Sequence, residues 1–161
     1  MTYYTYVISP IGRLLLAGDG AALERLHFSS GSKAQLSHAD WVERPEAFID
    51  AAQQLETYFS GKLQNFTLAL NPKGTPFQLA VWRELVTIPY GRTVTYGELA
   101  KRLGNPQASR AVGLANGANP IAIVQPCHRV MGANGKLTGF GGGLDFKQRL
   151  LDLERGEPRM F

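Results

Sequence analysis

Apolar positions divide the chain into a β-rich start and a helical remainder. Thr2 to Ser9 is dense in Tyr, Val, Ile and Thr, and Ser9-Pro10-Ile11-Gly12 supplies turn chemistry. Arg13 to Ala17 and Leu23 to Phe28 flank Gly18-Asp19-Gly20, which predicts a hairpin. From Pro45 to Ser60 the period changes: Ala47/Phe48, Ala51/Ala52, Leu55 and Tyr58/Phe59 recur at helical spacing, and Gly61 stops the helix. Phe66 to Leu70 is a short predicted strand, and Asn71 to Pro76 reads as a linker.

Beyond the linker the pattern is helical. Phe77 to Val86 places Phe77, Val81, Trp82 and Leu85 on one face. Thr95-Tyr96-Gly97-Glu98 is a capping box, with Thr95 as N-cap and Glu98 at N3, and that helix runs to Leu103 before Gly104. Asn105 as N-cap and Pro106 at N1 predict another helix at once. Two short helices across so tight a turn form a helix-turn-helix candidate. On the second, Ala108, Ala111, Val112 and Ala115 make the core-like face, while Arg110, Gly113, Leu114 and Gly117 face outward. Such an outward face can approach another surface closely with one cation projecting, which suits a narrow groove of DNA. A helix made small to pack against its neighbour explains this feature somewhat better when it is taken alone. Pro120 to Gln125 is a short apolar run, Met131 to Gly143 a Gly-rich loop, and Asp145 to Arg155 a final helix ended by Gly156. No internal repeat or low-complexity segment interrupts the pattern.

Composition narrows the class. At 161 residues, 44% hydrophobic and 19% charged, the chain is one globular domain, or two small ones sharing a core. The net charge of +4 is unevenly spread. Five basic residues stand against seven acidic up to Pro72, and twelve against six from Lys73 onward. A basic second half suggests a polyanionic partner, although an ordinary solvated surface explains the charge equally well. No apolar run approaches the roughly 20 residues needed to span a bilayer, and the amino terminus lacks signal-peptide character. A soluble, cytoplasmic protein is therefore expected. One cysteine excludes an internal disulfide framework and a multi-cysteine zinc site.

That cysteine lies in Pro126-Cys127-His128-Arg129-Val130, the segment that carries chemistry. Thiolate is the nucleophilic form of cysteine, and neighbouring cations or a helical N-terminus favour it. Pro126 can begin such a turn. A lone cysteine is also commonly a small buried hydrophobe, and neighbouring side chains need not face each other, so the residues alone leave both roles open. In the final helix Phe146, Leu150 and Leu153 mark the buried stripe, with Glu154 at its border, where a carboxylate can orient His128 or lie in solvent.

At these residues the chain resembles the O6-alkylguanine-DNA alkyltransferases. The likeness rests on Pro126-Cys-His-Arg-Val130, preceded by Asn119-Pro120 and followed by Gly139-Phe-Gly-Gly-Gly-Leu144. It extends through Ile88-Pro-Tyr-Gly91, Thr95 to Ala100, Asn105-Pro106 and Arg110-Ala-Val-Gly113. It is strong from Phe77 to about Gly156, whereas the front half matches only in its β-then-helix order. The resemblance implies an α/β protein: residues 1–72 as a ribonuclease-H-like domain of small β-sheet plus helix, and 73–161 as a mostly helical domain with a helix-turn-helix.

It further implies DNA repair by direct reversal. One alkyl group passes irreversibly from O6-alkylguanine in duplex DNA, or from O4-alkylthymine, to Cys127, after the base is flipped out through the minor groove. His128 takes the thiol proton through a water, Glu154 holds His128, and Tyr96 donates a proton toward the departing guanine and helps rotate the nucleotide. Arg110 fills the vacated place in the stack. Ala108, Ser109, Gly113 and Gly117 complete the DNA-facing surface, and Asn119 is the hinge. Pro126, Val130, Phe140 and Gly141 shape the pocket. The protein is expected to need no cofactor or metal and to be a monomer in solution, with cooperativity on DNA left open. His27 and His38 have no cysteine companion, so no structural zinc site is inferred. Gly117 and Gly141 depart from some relatives, which carry a basic residue and a serine there.

Rival readings differ in chemistry. An alkyltransferase-like binder shares the fold but lacks the acceptor thiol, which Cys127 supplies here. A helix-turn-helix regulator explains the basic half but not Cys-His-Arg. A cysteine hydrolase would turn over repeatedly. The Gly139–Gly143 run lacks the preceding strand and full motif of a phosphate loop.

Overall fold

In a computed structural model that describes residues 1–30, 34–135 and 144–156, the front of the chain forms a small sheet backed by one helix. Strands β1 (Tyr3–Ser9), β2 (Gly12–Gly18) and β3 (Leu23–Phe28) make an antiparallel meander. A two-residue β4 (Val42–Glu43) pairs parallel with the start of β1, giving the order β3-β2-β1-β4. Leu14, Leu15, Leu16 and Ala17 are all buried, so β2 is covered on both faces and reads as a continuous apolar run rather than an alternating one. Helix α1 (Ile49–Phe59) follows a 3-10 turn at Pro45–Phe48, and Gly61 takes the left-handed φ of 80° just beyond its end.

The second half supplies α2 (Pro76–Leu85), β5 (Val94–Thr95), α3 (Tyr96–Arg102), α4 (Ser109–Gly117), a 3-10 turn at Cys127–Arg129, β6 (Val130–Met131) and α5 (Leu144–Arg155). β5 and β6 pair in parallel, tying the start of α3 to the residues after Cys127. Both α2 and α3 open on full capping boxes, Thr75 with Gln78 and Thr95 with Glu98. Trp82 Nε1 donates to Ala115 O at 2.8 Å, which fixes α2 against α4. One hydrophobic cluster runs through both halves, including Leu14, Leu55 and Tyr58 from the front and Val81, Trp82, Leu85 and Leu150 from the back.

Several expectations change. Phe66 to Leu70 is not a strand: it makes only a bridge from Leu70 to Leu23, its backbone having no neighbour to continue the ladder. The linker ends early, because Thr75 and Pro76 already cap and begin α2. Phe77 is exposed rather than buried. Asn105 and Pro106 do not start α4. Gly104, at φ 78°, closes α3 with Asn105 N–H bonding Ala100 O at 3.0 Å, and a turn from Asn105 to Ala108 intervenes before Ser109. Ala111 is exposed, and Asn116 takes the buried place assumed for it. Gly113 is half-buried over Tyr96, where an added Cβ would stand 3.9 Å from the ring.

Candidate active site

The loop from Asn119 to Gln125 delivers Cys127. Asn119 Nδ2 donates to Gln125 O at 2.7 Å, while Asn119 Oδ1 accepts from Ile121 N at 3.0 Å and from Gln125 Nε2 at 2.7 Å. The front sheet holds the same loop: Leu26 N–H donates to Pro120 O at 2.9 Å and Ala122 N–H donates to Leu26 O at 3.0 Å. Within this clasp Ile123 adopts a φ of 72°, a left-handed conformation that a β-branched residue takes only when its surroundings impose it. Asn116 Nδ2 donates to Cys127 O at 3.3 Å from α4.

Cys127 begins its 3-10 turn after Pro126 and is buried. Of the two effects on its thiol, burial and neighbouring positive charge, burial prevails. Burial pushes the thiol up to about 11, outweighing the hydrogen bond from Asn119, the Lys147 cation and the backbone N–H groups of Cys127 and His128. The resting group is therefore a neutral thiol, and using it as a nucleophile requires a base.

His128 follows Cys127 in the same turn. Its ring is fully buried, with Nε2 2.6 Å from Glu154 Oε2, and Nδ1 is buried without a hydrogen-bond partner among the described residues. Burial lowers the imidazole pKa, against the raising effect of Glu154, so the ring is neutral. Nε2–H then donates to the carboxylate, leaving the Nδ1 lone pair to accept a proton.

Glu154 is not at the border of its helix but buried, with four bonds to its two oxygens. Oε1 accepts from Arg129 Nε at 2.7 Å; Oε2 accepts from His128 Nε2, from Tyr58 Oη at 2.5 Å and from Arg129 Nη2 at 3.1 Å. Burial alone would raise its pKa, but His128 and Arg129 prevail and bring it to about 2. Arg129 reaches across with Nη1 donating to Ile88 O at 2.6 Å. The turn that presents Ile88 requires Gly91 at φ 78°, whose absent Cβ would stand 3.4 Å from Glu154 O.

Sequence reasoning missed Tyr58, Asn116 and Lys147. Lys147 is fully buried, with Nζ donating to Val130 O at 2.5 Å, and burial lowers its pKa to about 8 while Cys127 raises it. Its signal was present: Lys147, Leu150, Leu151 and Glu154 follow helical spacing, so a lysine on that stripe had to be buried. Asn116 shares the stripe of Val112 and Ala115.

Tyr96, at the start of α3, is half-buried and packs on the core, one face toward Gly113. Ser109, Arg110, Leu114 and Gly117 are exposed on one side of α4, and Ala108 is half-buried at its start. Pro126 and Val130 are buried beside Cys127. Phe140, Gly141 and the rest of the Gly139–Gly143 run lie outside the described residues. His38 stacks on Trp41 at 4.2 Å and His27 is half-buried on β3.

The chain matches two family models: 6-O-methylguanine DNA methyltransferase, ribonuclease-like domain, over residues 2–72, and the DNA binding domain of the same family over residues 76–156. It is 57% identical over 152 residues to a methylated-DNA–protein-cysteine methyltransferase of Methanosarcina acetivorans, covering 94% of this chain and 97% of that one. The crystal structure of Mycobacterium tuberculosis O6-methylguanine methyltransferase superposes with a TM-score of 0.90 at 49% identity, covering 100% of this chain and 97% of that chain. The M. tuberculosis protein OGT in complex with DNA gives 0.90 at 52% identity, covering 97% and 95%.

Proposed function

This chain belongs to the 6-O-methylguanine DNA methyltransferase family, and on that premise we propose that it repairs DNA by carrying one alkyl group from O6-alkylguanine to Cys127. The observation that carries the reading is the buried Cys127 thiol beside a neutral His128 whose Nδ1 is free to take a proton and whose Nε2 is held by Glu154.

The reaction is a displacement at the alkyl carbon. Cys127 Sγ forms the new S–C bond as the C–O bond breaks, and the electron pair leaves with the guanine oxygen. The thiol proton passes to His128 Nδ1 through a water, and the imidazolium is stabilised by Glu154. Tyr96 donates a proton toward the departing guanine ring. A thioether has no easy hydrolytic exit, so each chain acts once. O4-alkylthymine offers the same displacement.

The exposed side of α4 is the DNA face in this reading. Its small residues let the helix enter the minor groove, and Arg110 fills the place of the flipped nucleotide. Gly117 permits close approach, Gly113 lets α4 lie against Tyr96 at the edge of this face, and Ala108 and Ser109 stand at the leading end. Asn119 joins this helix to the loop that carries Cys127. Pro126 and Val130, buried beside Cys127, line the substrate pocket in this reading, and the family resemblance assigns Phe140 and Gly141 to the same role. The protein works as a cytoplasmic monomer. Phosphate contacts dominate affinity, which falls with salt and shows little sequence preference.

An alkyltransferase-like binder is not favoured, because the acceptor thiol is present and the close relatives bear methyltransferase names. Intact-mass analysis after incubation with DNA containing O6-methylguanine tests the proposal. One methyl group on Cys127 supports it; an unchanged mass with tight DNA binding overturns it. Cys127→Ala must bind damaged DNA without removing the alkyl group.

A further inference from the structure

The buried relay is completed from the other half of the chain. Tyr58 lies on α1, 96 residues before Glu154, and donates its hydroxyl to Glu154 Oε2 at 2.5 Å with both side chains buried. That oxygen is the one that His128 Nε2 uses. We propose that Tyr58 is a positioning residue for alkyl transfer: its hydroxyl shares Glu154 Oε2 with His128 and so sets how strongly the carboxylate supports the imidazole as a base. The inference rests on the reading of Cys127 as alkyl acceptor and gives the front half a part in the chemistry.

A carboxylate oxygen concentrates its charge on whichever donors it has. Each further donor on Oε2 withdraws charge from the His128 bond, and an imidazolium is then less stabilised. His128 faces Glu154 and Lys147 from α5 and Arg129 from its own turn, and Cys127 precedes it. Tyr58 faces Glu154, Arg129 and Tyr90, whose ring lies 6.3 Å away. Arg129 also donates to Glu154 Oε2 through Nη2, at 3.1 Å, and its other bonds, Nε to Oε1 and Nη1 to Ile88 O, fix the guanidinium, so that loss of the Tyr58 hydroxyl leaves Oε2 with one donor fewer. Burial and the charge on Glu154 hold the Tyr58 hydroxyl well above its ordinary pKa, which keeps it a neutral donor. Tyr58 also packs edge-on against Phe59 and tilted on Phe66, contacts that its ring keeps without the hydroxyl.

Tyr58→Phe removes only the donor. With three histidines in the chain, the titration of His128 can be followed directly by NMR. The expected result is an upward shift of the His128 midpoint by about one pH unit, the scale on which one hydrogen bond to a charged group acts. The acidic limb of the single-turnover methyl-transfer rate should move with it, while affinity for DNA stays unchanged. A fluorinated tyrosine at position 58, a stronger donor of the same shape, should move both in the opposite direction, and it tests the idea if Tyr58→Phe folds poorly. Unshifted titration and rate profiles in either folded variant overturn the inference while methylation of Cys127 in the unaltered protein stands. Failure of that methylation overturns the functional reading instead.

Discussion

Asn119 and Gln125 bond each other twice across six residues, Nδ2 to the Gln125 carbonyl and Gln125 Nε2 back to Asn119 Oδ1, both at 2.7 Å. The pair closes the loop in which Ile123 is held at a φ of 72°, and Cys127 follows two residues after Gln125. Asn119→Ala leaves buried polar groups without partners and releases that strain. The variant should lose about 2–3 kcal/mol of stability. Its methyl-transfer rate at saturating DNA should fall at least tenfold even below its melting temperature. Denaturant melts beside single-turnover kinetics check both; an unchanged rate would show that the clasp does not position the thiol.

Glu154→Gln separates charge from shape. The guanidinium of Arg129, buried and bonded to both Glu154 oxygens, would lose its counter-charge, with an expected loss of about 3–5 kcal/mol. Transfer should slow as well, since no anion then supports protonated His128. Tyr58 and Arg129 hold the side chain in place, so the crystal structure of the variant should superpose on the parent.

Acid should unfold the protein in two overlapping stages. Burial lowers His27 from 6.5 to about 4 and lowers His128 too, so the unfolded chain binds these protons more readily. Stability from keeping them neutral is present above 6.5 and is lost as pH falls toward the folded values. Glu154, lowered from 4.5 to about 2, contributes stability above 4.5 that disappears as pH falls toward 2. Urea midpoints measured from pH 7 to pH 3 should fall throughout, and His27→Gln should flatten the upper part of that slope.

Lys147→Met tests the buried cation. It removes a cation that lowers the Cys127 thiol, and transfer should slow roughly tenfold, about 1.4 kcal/mol in the barrier. Stability should change little, because relief of a buried charge offsets the lost bond to Val130 O. A thiol titration that is identical in both proteins would exclude this role.

Arg110→Ala should leave the melting temperature unchanged, since the residue is exposed. Transfer from duplex DNA should drop about tenfold, whereas a single-stranded oligonucleotide, with no partner base to displace, should be affected much less. Equal losses on both substrates would assign Arg110 to simple phosphate binding.

Local patterns determined much of this protein. The β-meander, the helix of Pro45 to Ser60, the Thr95–Glu98 capping box and the Gly104 stop follow from the chemistry of neighbouring residues. The Cys-His-Arg segment marked the cysteine, while its residues alone left both a nucleophile and a small buried hydrophobe open. Tertiary structure decided what spacing along the chain does not encode. The thiol is raised rather than lowered because burial outweighs the cations around it, a quantity set by everything that covers Cys127. Glu154 is a buried hub because His128 and Arg129 of one turn and Tyr58 of α1, 96 residues away, converge on it. Period and propensity report which side of an element is covered, while electrostatics depends on what covers it.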